Sequence, residues 1–377
     1  MMNRAKGVFG NSLRPKIRSL GAFVQAALGV LLMVLLCSCV ADFQDGDEHF
    51  FVTHKGASMP VWVTGNWRSD RIVVHIHGGP GSTNMIYYQK QSYQRLAADV
   101  GVAYFEQRAS GAALGSHRDN LTVEQWLEDF DVIMTVLEHR YPKAEFVLMG
   151  HSWGGHLGPK FLLAGHQRRF KGWIEMDGVH DSSCAIWAYG RDRVLEVGAQ
   201  QVADDPGKAG YWNEARRFFQ EDWKCDVKTN ENNMIEVVRG TQVQLQHSLY
   251  VRAAGGYDVV PDRVLNGAET LELLFRSQFD PYATTVNSPL PLQGYFGVDL
   301  TPRLGEITLP VLVLWGVHDL ITPYASAEPA LAAYGAPADK KRLVAFADSG
   351  HNPWAEEQDK FYDAVHGFLQ LVWPALF

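Results

Sequence analysis

Cysteine is scarce: there are four in 377 residues, and two of them, Cys37 and Cys39, close an apolar amino-terminal run. The remaining pair, Cys184 and Cys225, is too small for a disulfide framework and is not spaced as metal ligands are. The 14 histidines also lack ligand-like spacing with cysteine or carboxylate. No metal site is therefore expected, and with no glycine fingerprint for a dinucleotide, no cofactor. Internal repeats and disorder-prone composition are missing as well. Basic charge is in short supply, with 34 Lys and Arg against 42 Asp and Glu for a formal charge of −8. No nucleic-acid partner is expected of such a chain. What is abundant is apolar material: 46% of the residues are hydrophobic, enough to bury a large core.

The amino terminus differs from the rest. Arg4, Lys6, Arg14, Lys16 and Arg18, with no acid among the first 38 residues, precede an apolar run from about Leu20 to Leu36. This is the pattern of a secretory signal. An uncleaved membrane helix is the alternative, because the run is near the spanning minimum of about 17 residues. The closing Leu36-Cys37-Ser38-Cys39 resembles the lipobox of bacterial lipoproteins, which implies acylation of Cys39, a membrane anchor and a catalytic part outside the cytoplasm. An exported compartment would permit a disulfide between Cys184 and Cys225.

A polar tether follows, residues 39–48, and then two strand-like runs, His49 to His54 and Val61 to Thr64, that read as an antiparallel lead-in. Further along, Arg71 to His77, Val102 to Phe105, Phe146 to Met149, Trp173 to Met176, Val311 to Trp315 and Arg342 to Phe346 are nearly continuous apolar runs. Strands covered on both faces look like this. Helical patterns alternate with them: Gln89 to Asp99, a helix ending at Arg140 that Thr122 and Gln125 open as a capping box, Trp153 to Gly165, Ala325 to Tyr334, and Ala355 to Val372. The alternation predicts an α/β fold with an open, mostly parallel, doubly wound sheet. Residues 181–299 interrupt it with helical patterns at 191–204, 211–222, 233–254 and 269–278, and read as an inserted cap. The core is then 49–180 with 300–377.

One stretch carries the chemistry. Gly150-His151-Ser152-Trp153-Gly154-Gly155 follows the run ending at Met149, as in a nucleophile elbow, where small residues on either side let the chain double back around a strained serine. A serine needs a base, and the base a carboxylate to hold its tautomer. His351 and Asp319 each stand just past a strand, in the chain order serine, acid, histidine. Asp177, directly after the preceding strand, is the other candidate acid. The oxyanion donors expected are the Trp153 amide and, from His77-Gly78-Gly79-Pro80-Gly81, the Gly79 amide. Arg108 is read as structural, paired with Glu106 or with a core carboxylate.

His77-Gly78-Gly79-Pro80-Gly81, Glu106-Gln107-Arg108 and Gly150 to Gly155, with a helical cap ahead of Asp319 and His351, resemble the proline iminopeptidase family of α/β-hydrolases. The resemblance spans essentially the whole chain after residue 48. It implies the α/β-hydrolase fold, Ser152, Asp319 and His351 as triad, and release of an amino-terminal residue from a peptide. It also implies cap carboxylates that bind the substrate amine, for which Glu175, Glu196, Glu214 and Glu221 are candidates. The chain departs from the family pattern with Glu106 for aspartate, Ala109 for glycine, His151 for glycine and Gly155 for serine. An esterase or lipase-like hydrolase with the same triad is the second expectation, and a catalytically silent binding lipoprotein the third. Trp187, Trp212 and Trp223 in the cap are read as packing or as lining of an apolar pocket.

Overall fold

The structure, a computed structural model, describes residues 47–115, 120–210, 297–319 and 321–374. The amino-terminal run, Cys39, Cys225, Glu214, Glu221, Trp212, Trp223 and the three later cap helices lie outside those residues. Cys184 is disulfide-bonded, and the other three cysteines lie outside the described residues. No described helix is long and apolar enough to cross a membrane.

The described strands are β1 Glu48–His54, β2 Ala57–Gly65, β3 Arg71–Ile76, β4 Gly101–Phe105, β5 Glu145–His151, β6 Phe170–Met176, β7 Val311–Gly316 and β8 Lys341–Phe346. They form one sheet in the order β1-β2-β4-β3-β5-β6-β7-β8. β1, β2 and β4 pair antiparallel, and the pairings from β4 through β3 to β8 are parallel. Lys55 and Gly56, at φ 44° and 84°, make the tight turn between β1 and β2, as the right-handed twist of a hairpin requires. β2 starts at Ala57, four residues before the expected run. Pro60 has no N–H for a ladder, but its carbonyl takes the Glu106 N–H at 3.0 Å, so the strand runs through it.

The helices that matter below are α1 Gln91–Asp99, α2 Val123–Arg140, α3 Gly154–Phe161, α4 Cys184–Asp204, α5 Ala327–Ala333 and α6 Gln358–Val372. Strand side chains alternate between two apolar layers. Ile72, Val74, Ile76 and Leu148 pack with residues of α2, α3 and α5, including Phe130, Leu157 and Ala330. Val73, Val147, Met149, Ile174 and Leu314 pack on the other face with Leu96 of α1 and Phe361, Val365 and Phe368 of α6. In the central strands β3 to β7 both faces are covered, and that explains why they read as nearly unbroken apolar runs. Burying each such side chain stabilises the fold by about 1.5–3 kcal/mol. The expected sheet is the one observed.

Several boundaries differ from the pattern. The Thr122 hydroxyl caps α2 by accepting the Gln125 N–H at 3.1 Å, but the Gln125 side chain turns to Asp129, so the reciprocal half of the capping box is not made. α3 ends at Phe161 and passes into a wider turn through Gly165 at φ 100°. α4 begins at Cys184, seven residues earlier than its apolar spacing indicates.

The segment leaving β6 and the one returning to β7 meet. Asp181 bridges Asp299, and Leu300 N–H donates to the His180 carbonyl at 2.9 Å. Whatever lies between them enters and leaves the sheet at one point. Successive parallel strands β3, β4 and β5 also place β3 between the other two, so the winding direction reverses between β3 and β5. A crevice opens at such a point, beyond the carboxyl ends of the strands.

Candidate active site

β5 ends at His151 and delivers Ser152 to the carboxyl end of the sheet, at that switch point. Ser152 has φ 55°, in the left-handed region, a conformation that costs a non-glycine residue about 1–2 kcal/mol. Its surroundings enforce it: the Ser152 amide donates to the Met176 carbonyl at 2.9 Å, and its own carbonyl accepts from Gly155 and Val179 at 2.8 and 3.0 Å. A Cβ on Gly150 would lie 2.4 Å from the Gly154 carbonyl oxygen, and one on Gly154 only 2.3 Å from that of Ile76. The two glycines therefore let α3 start hard against β3 and turn Ser152 outward.

The loop after β3 meets the elbow from the other side. A Cβ on Gly78 would stand 3.2 Å from Cβ of Ser152. Gly79 has φ 125°, open to glycine, and its amide has no hydrogen-bond partner among the described residues. His77 braces the loop: its Nδ1–H donates to the Gly78 carbonyl at 2.7 Å, and its Nε2 accepts the Gln107 N–H at 3.2 Å. Burial pushes this imidazole down to about 4, so it is neutral at physiological pH. The Gln107 side chain then ties loop to elbow, donating to the His77 carbonyl at 3.0 Å and accepting the Trp153 indole N–H at 2.8 Å.

At the far ends of β7 and β8, His351 Nδ1 lies 2.7 Å from Asp319 Oδ2. A neutral imidazole donates from Nδ1 here and keeps Nε2 as the acceptor, the tautomer a base needs. Asp319 is itself held, because its Oδ1 accepts the Ile321 and Thr322 amides at 2.8 and 3.0 Å. Asp177 is close by: ligand atoms, one from each of Asp177, Asp319 and His351, lie within 4.8 Å of one another. It is fully buried and accepts the Gly316 N–H at 2.8 Å. Burial, and then the neighbouring Asp319, raise its carboxyl well above the usual carboxylate range and so favour its protonated form. Of the two candidate acids, Asp319 holds the imidazole and Asp177 stands behind it. These three residues are also the described cluster that could offer a cation several ligands, but Asp319 Oδ2 and His351 Nδ1 are already engaged with each other.

The amine-binding candidates fare differently. Glu175 is wholly buried, with Oε1 paired to His180 Nδ1 at 2.7 Å and Oε2 accepting the Tyr334 hydroxyl at 2.6 Å. It is a core ion-pair member, which corrects its assignment as an amine ligand: both oxygens are used, and no substrate amine reaches a carboxylate inside the core. Glu196 lies on the exposed surface of α4 in an ion pair with Arg193. Glu214 and Glu221 lie outside the described residues, as does the side chain of Trp187. Arg108 pairs with a core carboxylate, forking onto Asp129 at 2.7 and 2.8 Å, whereas Glu106 takes the Thr83 hydroxyl and the Asn84 amide.

Two groups near the site have no local signature in the sequence. The Tyr87 hydroxyl contacts both Gly78 and His151. Glu356 accepts the Gly350 N–H at 2.6 Å beside His351, and its carboxyl is pushed up to about 7, chiefly by burial.

A profile of the alpha/beta hydrolase family matches residues 73–364. Among curated relatives, a proline iminopeptidase of Clostridioides difficile (strain 630) is 24% identical over 328 residues, covering 85% of this chain and 97% of the relative. Among solved structures, a proline iminopeptidase of Mycobacterium smegmatis superposes with a TM-score of 0.58 at 18% identity, covering 88% of this chain and 100% of that one. The esterase RhEst1 from Rhodococcus sp. ECU1013 gives 0.54 at 19% identity, covering 86% and 99%.

Proposed function

Since the chain belongs to the alpha/beta hydrolase family, we propose that it is a serine hydrolase of the proline iminopeptidase type, releasing an amino-terminal residue from a peptide. The observation that carries this reading is the pairing of a left-handed Ser152 on a tight elbow with an Asp319–His351 couple at the same end of the sheet. In the mechanism, His351 Nε2 takes the Ser152 proton as Oγ attacks the scissile carbonyl, and Asp319 steadies the imidazolium. The Gly79 and Trp153 amides receive the charge that develops on the carbonyl oxygen. His351 returns the proton to the departing amine. Water, activated by the same imidazole, then cleaves the acyl–Ser152 bond.

Cleavage of carboxylic esters is the second reading. It is favoured by the engagement of Glu175 in the core, which removes one of four candidate ligands for a substrate amine, and by His151 and Ala109 where the family pattern has glycine. Aminoacyl arylamides, prolyl and alanyl among them, assayed beside short acyl esters separate the two. Amide cleavage that disappears when the amine is blocked supports the aminopeptidase, and ester cleavage alone supports the esterase.

We also propose that residues 1–38 direct export and that Cys39 is acylated, on the strength of the basic and apolar pattern that precedes it. Cys39→Ser should move the protein from the membrane to the soluble fraction; equal membrane retention would refute the anchor.

A further inference from the structure

Behind the elbow runs a line of hydrogen bonds whose donors chemistry assigns without ambiguity. The His351 carbonyl can only accept, so His151 Nε2, 2.7 Å away, carries a proton. Burial, and then the neighbouring His351, hold the His151 imidazole well below its usual pKa, so the ring is neutral and its Nδ1 is an acceptor. The Tyr87 hydroxyl, 2.6 Å from that Nδ1, is therefore the donor. Its oxygen in turn accepts the Gly78 N–H at 3.2 Å. The line thus reads Gly78 amide to Tyr87, Tyr87 to His151, His151 to the His351 carbonyl.

Water has little access to it. Tyr87 is 1% exposed and His151 3%. The Tyr87 ring is packed between His75 and Trp354, with centroids 4.4 and 4.5 Å away, which holds its hydroxyl at His151. An apolar side chain would fill the same volume without desolvating an imidazole. In the glycine of the family pattern nothing could span from Tyr87 to the base loop. The line joins the two loops that approach Ser152 from opposite sides, and its central member is the residue bonded to Ser152.

We propose that His151 and Tyr87 are positioning residues that couple the Gly78–Gly79 oxyanion loop to the backbone of His351, so that oxyanion donors and base hold one register about Ser152. The inference rests on the serine-hydrolase reading. A displacement of about 1 Å between reacting groups costs roughly 100-fold in rate, which sets the size of effect a broken register produces.

The test uses the full chain, its best substrate from the amide and ester panel, and the variants Tyr87→Phe, His151→Phe, the double variant and His151→Gln. Each single apolar variant should lower kcat by about 10- to 100-fold with KM within about twofold. Labelling of Ser152 by a fluorophosphonate, normalised to folded protein, should slow in parallel. The double variant should be no slower than the slower single, because both singles break the same line. His151→Gln, which can donate to the carbonyl, should recover part of the loss. Singles with wild-type kcat, multiplicative losses in the double variant, or losses that follow only the folded fraction would overturn the coupling while leaving the hydrolase reading intact. Wild-type protein that resists the fluorophosphonate, together with Ser152→Ala turning over normally, would overturn both.

Discussion

Two carboxylate–imidazole pairs flank the carboxyl end of β6, each closing at 2.7 Å: Glu175 with His180 and Asp319 with His351. Distance does not tell them apart; their surroundings do. The Glu175 pair is sealed, His180 being 1% exposed and Glu175 fully buried. Tyr334 occupies the second carboxylate oxygen, and Trp173 donates to the Tyr334 oxygen at 2.8 Å. Burial works against charge on His180, but Glu175 outweighs it and raises the imidazole above its usual pKa, which favours an ion pair inside the core. The Asp319 pair reaches the surface at His351, 8% exposed and beside the elbow, and has a second acid, its pKa raised by burial, behind it. A pair closed inside the core, with each carboxylate oxygen engaged by a neighbouring side chain, holds the fold together. A catalytic pair must keep one nitrogen for a substrate proton.

The largest effect that would sharpen this contrast is expected at Ser152. Ser152→Ala should lower kcat by about four to six decades and abolish fluorophosphonate labelling; turnover near wild type would detach the elbow from the His351 pair. Asp319→Asn should follow at about 10⁴-fold in kcat, because an amide favours the wrong tautomer of His351, with the denaturation midpoint little changed. Glu175→Gln should show the reverse. Breaking a buried pair costs about 3–5 kcal/mol, read by urea unfolding, while kcat per folded molecule stays within about twofold. If the two substitutions behaved alike in both assays, the distinction drawn here would fail.

Smaller effects separate the pairs by pH. His180, with its folded pKa raised, contributes stability that is complete below its unfolded value of about 6.5 and is lost as pH rises through the folded value. Asp177 is also raised, from an unfolded value near 3.8. Its unfolded form ionises first, so the stability it contributes falls as pH climbs from about 4 toward its folded pKa. Asp177→Asn keeps an acceptor for the Gly316 amide and removes that slope. The variant should unfold at the same urea concentration as wild type near pH 3 and at a higher one at pH 8. An unchanged difference across that range would show that Asp177 is ionised in the folded protein. Glu356→Gln should flatten a still smaller loss between about pH 4.5 and about 7.

How much of this could be read along the chain depends on how local each cause is. The elbow was legible because a left-handed serine forces glycine onto positions within two residues of it. The strands were legible because two apolar layers demand unbroken apolar runs. His351 and Asp319 stood out by chain order and by their place after strands. Glu175 misled because a carboxylate at the end of a strand reads the same whether it faces a crevice or the core; only the meeting with His180 and Tyr334, the latter 159 positions away, decides it. Gln107, Tyr87 and His151 were hidden for the same reason. Tyr87 reaches His151 across 64 positions and Gln107 reaches Trp153 across 46, separations at which no spacing rule operates. The unmade half of the capping box shows the converse: a good local motif lost Gln125 to Asp129, a buried acceptor already shared with Arg108 and His54.

By itself the amino-acid sequence determined the sheet and the glycine-flanked elbow, and it marked Ser152, Asp319 and His351 as candidates, since the first two follow from backbone sterics and from which face of a strand meets water. The tertiary structure alone decided which of two neighbouring aspartates holds the imidazole, which carboxylate is sealed in the core, and which buried hydroxyl and imidazole join the loops around Ser152. Such choices turn on desolvation and on hydrogen-bond partners brought from distant parts of the chain, quantities that exist only once the layers have closed.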